Sequence, residues 1–262
     1  MNMKSTILQV FALLLVASMA MGFGPAFEED EDAGNLPEDS KKMEGQGPIQ
    51  SISGQLTGAG LLAGDYQDMY AFYIANPTEF RIDVDPDSGF NTQLFLFGIS
   101  EKGLLANNDS YVEGQEPSQF STLLPFSTDG TNVQLKQPGI YYLAISGFSS
   151  LPKSDAGHIF FFNPETPFEV SGPDGQGGDL PITGWGENGE VGHYKLWLTG
   201  VEFIPPPPDQ EGDVTGDGTV DVEDLLLVIS DWNCQGDDCQ GDANNSGTTD
   251  VYDLLIVISN WD

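Results

Sequence analysis

Carboxylates at fixed spacing are the chemistry this sequence offers most plainly. From Gly212 the chain reads GDVTGDGTVDVEDLLLVISDW, and from Gly241 it reads GDANNSGTTDVYDLLIVISNW. The two stretches lie 29 residues apart and agree at 13 of 21 positions, which is too close for chance and implies duplication. Calcium needs about six to eight oxygens from a loop that folds round it. In the first stretch Asp213, Thr215 and Asp217 fill positions 1, 3 and 5 of such a loop, and Gly218 makes the sharp turn at position 6. Thr219 offers its backbone carbonyl at position 7, and Asp221 and Asp224 stand at positions 9 and 12. In the second stretch the same places hold Asp242, Asn244, Ser246, Gly247, Thr248, Asp250 and Asp253. The spacing predicts two Ca2+ sites. The second has Ser246 where the first has Asp217, so the first site is expected to bind more tightly.

A helix is expected after each loop. Leu225, Val228, Ile229 and Trp232 follow the i, i+3, i+4, i+7 pattern, and so do Leu254, Val257, Ile258 and Trp261. Neither helix can bury such a stripe alone, so the two should pack together, with the Trp and Leu residues as core and a binding surface as the alternative. No helix is expected before either loop, which makes each repeat half an EF-hand. Cys234 and Cys239 lie between the repeats. They are read as a disulfide, with free thiols as the alternative. Zinc is not expected there, because His158 and His193 are far upstream.

The GDVTGDGTVDVEDLL run, its second copy and the helix after each resemble the type I dockerin family. The resemblance spans about 50 residues, 210–262. It implies two calcium loops whose helices pack antiparallel. It also implies a role in plugging a secreted protein into a cohesin-like or other extracellular receptor. Where cellulosomal members carry hydroxyl residues, loop positions 10 and 11 here hold Val222, Glu223, Val251 and Tyr252, the candidate partner-docking residues. In this respect the module is more similar to dockerin-like tails on exported proteins of planctomycete type.

The elements that precede this module read differently. Met1 to Ala20 has the form of a signal peptide, with Lys4 before an apolar run from Ile7 to Val16 and small residues before the cut. The expected locality is therefore secreted or cell surface, with no membrane span in the mature chain. Residues 21–47, headed by the acids Glu28 to Asp32, are expected to form a disordered leader. From 48 to 204 short apolar stretches alternate with Gly, Pro, Asn and Asp clusters. Strands are expected at Met69 to Ile74, Phe80 to Val84, Thr92 to Phe97, Ile140 to Ile145 and His193 to Thr199, with a long loop over 163–192. This pattern indicates an all-β sandwich, jelly-roll-like, joined to a small α module of two calcium loop-helix repeats. Pro205 to Pro208 mark a semi-rigid linker over 205–209.

The pieces Asp68 to Phe72, Phe90 to Phe97, Asn107 to Asp109 and Pro138 to Ile145, in that order, resemble the bacterial pre-peptidase C-terminal domain. That resemblance implies an accessory module that holds calcium in some members, with Asp68 and Asp109 at candidate positions, and that binds matrix polymers such as polysaccharide. Trp185 and Trp197 are candidates for stacking on sugar rings; Trp197, lying in a strand, is expected in the core.

The net charge of -33, with 41 acidic and 8 basic residues, argues against nucleic acid and anionic membrane surfaces as partners. No zinc-protease helix and no nucleophile elbow occurs, and both histidines stand beside glycine. The expected function is non-catalytic: the β domain binds a matrix or partner while the calcium module docks or anchors it outside the cytoplasm. The alternative is a secreted polysaccharide-degrading enzyme delivered by its dockerin, which would use paired carboxylates. A third reading makes calcium a staple for a core too small to hold alone.

Overall fold

The computed structural model describes residues 24–59, 64–109, 119–205, 210–236 and 239–261. The expected signal peptide and residues 206–209 of the Pro linker lie outside the described residues.

Period-two patterning builds two sheets. The first runs β1 (Ala26–Glu28), β3 (Ser51–Leu56), β15 (Gly192–Thr199), β7 (Arg81–Val84), β10 (Thr122–Leu123). The second runs β16 (Val201–Glu202), β6 (Gln67–Ile74), β11 (Gly139–Gly147), β8 (Thr92–Gly98), β9 (Gly103–Asn107), with β2 (Lys41–Lys42) added to β6. Pairing is antiparallel except where β1 meets β3 and β2 meets β6. Alternate residues from both sheets share one core: Ile52, Ile82, Tyr194 and Leu196 from the first face Tyr70, Phe72, Leu94 and Leu143 from the second. The architecture is a β-sandwich, and each strand read from the sequence forms.

The second sheet is covered on its other face as well. Met69, Phe95, Phe97 and Ala144 pack against Ile159, Phe160 and Ile182. These come from the excursion over 148–191, which carries β12 (Pro152–Ser154), β13 (Gly157–His158) and β14 (Gly184–Trp185). A strand buried on both faces has no polar side to show, which is why β6 and β8 read as nearly continuous apolar runs. The Gly- and Pro-rich stretch expected as a loop is this cover. Phe95 is its anchor, with ring centroids 5.8 Å from Phe160, 6.1 Å from Phe162 and 5.6 Å from Trp185.

The structure corrects two expectations here. The acidic stretch after Gly24 is not a disordered leader: β1 and β2 join the two sheets, and Ala33 and Met43 are buried in the core. Its few apolar residues were enough because open strand edges supplied the hydrogen bonds. Trp197 is not a core residue. It lies on the outer face of β15, 38% exposed, with its indole N–H donating to Asp85 at 2.7 Å and Lys195 Nζ 4.1 Å from the ring.

The C-terminal module has two helices, α1 (Val222–Ser230) and α2 (Val251–Ser259). Asp221 and Asp250 cap them, each paired in a capping box with Asp224 or Asp253. Gly212 and Gly241 pack crosswise: a Cβ at Gly212 would lie 3.1 Å from Val257 Cα, and one at Gly241 2.9 Å from Val228 Cα. Each repeat thus begins against the other repeat's helix. Among the described residues the module core is Val220, Val228 and Val257, with Val214, Leu225 and Leu254 partly buried. Trp232 and Trp261, expected as core, and Ile229 and Ile258 of the same stripes are instead 42–53% exposed. Two nine-residue helices meeting along one narrow seam cannot cover the whole stripe.

Phe95→Ala should cost about 3–5 kcal/mol, since it empties the packed outer layer, whereas Trp197→Ala should cost less than about 1 kcal/mol. Urea unfolding of the two variants beside the wild type measures the difference.

Candidate functional site

The two acidic loops are ordered by the same backbone donors. In the first, Asp213 Oδ1 accepts the N–H of Gly216 at 2.7 Å and of Asp217 at 3.2 Å, and its Oδ2 accepts that of Gly218 at 2.8 Å. Asp224 closes the loop: Oδ1 accepts the Thr215 N–H and hydroxyl, both at 2.9 Å, and Oδ2 accepts the Asp221 N–H at 2.8 Å. Asp217 accepts the N–H and hydroxyl of Thr219 at 2.9 and 2.8 Å. Gly218 has φ +90°, a turn that a residue with a Cβ would resist.

The second loop repeats the arrangement. Asp242 accepts the N–H of Ser246 at 3.0 Å and of Gly247 at 2.6 Å. Asp253 accepts the N–H of Asn244 at 3.1 Å and of Asp250 at 2.7 Å. Ser246, where the first loop has Asp217, donates instead to the Thr248 carbonyl at 3.1 Å. The carboxylates at loop positions 1 and 12 therefore accept the same kind of backbone donors in both copies. Val222, Glu223, Val251 and Tyr252 stand exposed at the helix starts, just outside the loops.

Asp224 and Asp253 are fully buried, yet residues 210–262 contain no Lys, Arg or His. Burial pushes the Asp224 carboxyl up, but the N–H groups of Asp221 and Thr215 outweigh it and hold it below the usual range. Asp224 thus keeps its charge with no cationic side chain in its own module to face. Such a donor set, all oxygen and net negative, suits a hard divalent cation.

Cys234 and Cys239 are joined as a disulfide. Asp231 beside them accepts the Gly241 N–H at 2.9 Å and the Thr249 hydroxyl at 3.0 Å.

The β domain holds a second gathering of acids. Asp32, Asp65 and Asp68 place carboxylate oxygens within 4.8 Å of one another. Asp32 comes from the turn after β1. Asp65 ends β5 (Gly64–Asp65), which pairs with β4 (Gly58–Ala59), and Asp68 lies in β6. Asp68 is fully buried. Its Oδ2 accepts the Tyr194 hydroxyl at 2.5 Å, and Tyr194 meets Tyr70 at 2.6 Å, while Oδ1 has no hydrogen-bond partner. Asp65 Oδ2 accepts from Thr57, and its Oδ1 also lacks a partner. Glu29 stands beside them, accepting the N–H of Ala33 and Gln55. Burial drives the Asp68 carboxyl up to about 8. The Tyr194 bond opposes this, and the charges of Glu29, Asp65 and Asp32 add to it. A buried carboxylate with a free oxygen, ringed by other acids, calls for a cation or a proton.

Of the two β-domain candidates, Asp68 is in this cluster and Asp109 is not; the Asp109 N–H donates to the Pro167 carbonyl, and its Oδ1 has no partner. Glu29, Asp32 and Asp65 were not singled out in the sequence. Only the fold brings the acidic stretch against the Asp65–Asp68 turn. Trp185 is a packing residue, stacked edge-on to Phe95 with its indole N–H donating to the Asn35 carbonyl at 2.7 Å.

No family model matches the chain, and no curated protein matches it. Among solved structures, it is similar to the crystal structure of the pre-peptidase C-terminal domain of collagenase from Bacillus anthracis. The identity is 16%, over 67% of this chain and 96% of that one, with a TM-score of 0.25.

In metal-free protein the folded Asp68 holds its proton up to about pH 8, whereas the unfolded chain releases it near pH 4. The folded state binds the extra proton across that window, so this group's contribution to stability falls as pH rises and is lost above about pH 8. Asp68→Asn carries no such proton. Melting temperatures of metal-free wild type and variant, taken from about pH 5 to about pH 8, should diverge, the wild type losing more. Parallel curves would rule out the assigned role of Asp68.

Proposed function

We propose that this chain is an exported, non-catalytic calcium-binding protein. Its dockerin-like module docks to an extracellular receptor, and its β domain holds a further cation and faces a matrix or partner. The observation that carries the reading is the duplicated loop network. In both copies of one backbone arrangement the carboxylates at loop positions 1 and 12 accept N–H groups of their own loop, in a module without a basic side chain.

The docking role is supported by what the helices leave uncovered. Val222, Leu226 and Ile229 of α1, and Val251, Tyr252, Leu255 and Ile258 of α2, are 48–66% exposed. Contiguous apolar surface of this kind on a small module marks an interaction face. The surrounding charge is wholly acidic, so the matching partner presents an apolar patch rimmed by Lys and Arg. The candidate residues Val222 and Glu223 stand at the start of α1, and Val251 and Tyr252 at the start of α2. Export is supported by the signal-like N-terminus and the Cys234–Cys239 disulfide.

Calorimetric titration of the chain lacking its first twenty residues should reveal calcium binding at both loops and at the β-domain cluster. Asp213→Asn should silence the first loop and Asp242→Asn the second. Calcium at about 100 times its dissociation constant should stabilise each loaded site by about 2.7 kcal/mol, read as a rise in melting temperature. A chain that takes up no calcium, with a melting temperature indifferent to chelator, would overturn the proposal.

A further inference from the structure

The stretch between the repeats is paired with the second loop. Residues 233–236 form an antiparallel bridge with residues 247–249, centred on Gln235 and Thr248. The Asn233 N–H donates to the Thr249 carbonyl at 3.0 Å, the Thr249 N–H to the Cys234 carbonyl at 3.2 Å, and the Gly236 N–H to the Gly247 carbonyl at 3.0 Å. In an extended strand successive backbone groups point to opposite edges. Fixing Gly247 and Thr249 outward therefore turns the N–H and carbonyl of Thr248 inward, where both meet the Ser246 hydroxyl, at 3.3 and 3.1 Å. Thr248 is loop position 7, whose backbone carbonyl is the ligand.

The disulfide closes this brace. Cys239 is bonded to Cys234, and its carbonyl accepts the N–H of Asp242, the first ligand of the loop, at 3.4 Å. The crosslink thus ties the loop's entry to its exit strand, and Asp231 adds bonds to Gly241 and Thr249. The first repeat keeps the entry bond, the Asp213 N–H donating to the Gln210 carbonyl at 3.0 Å, but it has no cysteine pair to crosslink. Twenty-nine residues before Gly236, which donates into the bridge, stands Pro207, which has no N–H to give, and the counterpart of Asn233, Ile204, donates instead to the Met43 carbonyl at 2.7 Å.

We propose that the Cys234–Cys239 turn is a positioning element for the second cation site. It pre-forms a loop that has one carboxylate fewer and makes that site's affinity depend on the disulfide. The inference rests on the calcium reading above. Affinity in such loops follows both ligand charge and rigidity, and rigidity here stands in for the missing charge.

The test uses the chain without its first twenty residues, carrying Asp213→Asn or Asp242→Asn so that each loop is measured apart. Calcium affinity is taken oxidised, after reduction with a phosphine, after reoxidation, and in a Cys234→Ser/Cys239→Ser variant. Reduction should weaken the second loop on the order of tenfold and leave the first loop within about twofold. Reoxidation should restore it, and the double serine variant should match the reduced protein. The unchanged first loop shows that the module remains folded. Equal affinities of the second loop in all four states would overturn the brace while leaving the calcium reading intact. A parallel fall at both loops would also overturn it, by making the disulfide a general staple. Absence of calcium from both loops of the oxidised chain would overturn the calcium reading and the brace together.

Discussion

A carboxylate taken out of water must be met by hydrogen-bond donors, by positive charge or by a proton, and this chain has few positive charges to offer. With 41 acidic and 8 basic side chains, pairing can neutralise only a small part of the excess. Most acids remain at the surface, where solvent screens them. The few that are buried fall into two solutions. Asp224 and Asp253 are wrapped by backbone N–H groups, which hold the Asp224 carboxyl below the usual range. Asp68 has one hydroxyl donor and acidic neighbours, and holds a proton instead. Beside Asp68, the unpartnered oxygens of Asp65 and Asp68 are the starting condition for taking up a cation.

The sandwich exists around that condition at one edge. Strand β1 adds in parallel to β3, which carries Glu29 and Asp32 across to the Asp65–Asp68 turn. Tyr194, from the neighbouring strand β15, reaches over to Asp68 and links the first sheet to the second. The apolar side of this construction is the doubly covered second sheet, where Phe95 and Phe97 on one face and Leu94 and Leu96 on the other let β8 bury residues on both sides. The burial that makes the sheet stable is also what strips water from Asp68.

The C-terminal module solves a different problem with a smaller core. Three buried valines and two crossed glycines hold two short helices together. So little buried surface leaves the module dependent on its loops, and the loops are not equal. The first has the fuller set of carboxylates. The second has Ser246, a disulfide beside it and a backbone bridge to residues 233–236. Duplication supplied the pattern, and the linking segments made the two copies different.

Much of this was legible in the residues. Spacing alone located both acidic loops, because their contacts lie within about twelve residues, whereas the capping boxes at the helix starts emerged only in the structure. Alternation and turn residues located the strands, and the cysteine pair was close enough in sequence to be read as a disulfide. Tertiary structure decided what depended on distant segments. Strand pairing recruited residues 24–47, which read as disordered because composition cannot show an open sheet edge waiting for them. It assembled the cluster of Asp32, Asp65 and Asp68 from an acidic stretch and a turn more than thirty residues later. It also set Trp185 against Phe95 and put Trp197, Trp232 and Trp261 at the surface. The physical reason is the same each time: local spacing fixes which side of an element a residue occupies, but only packing fixes what that side meets.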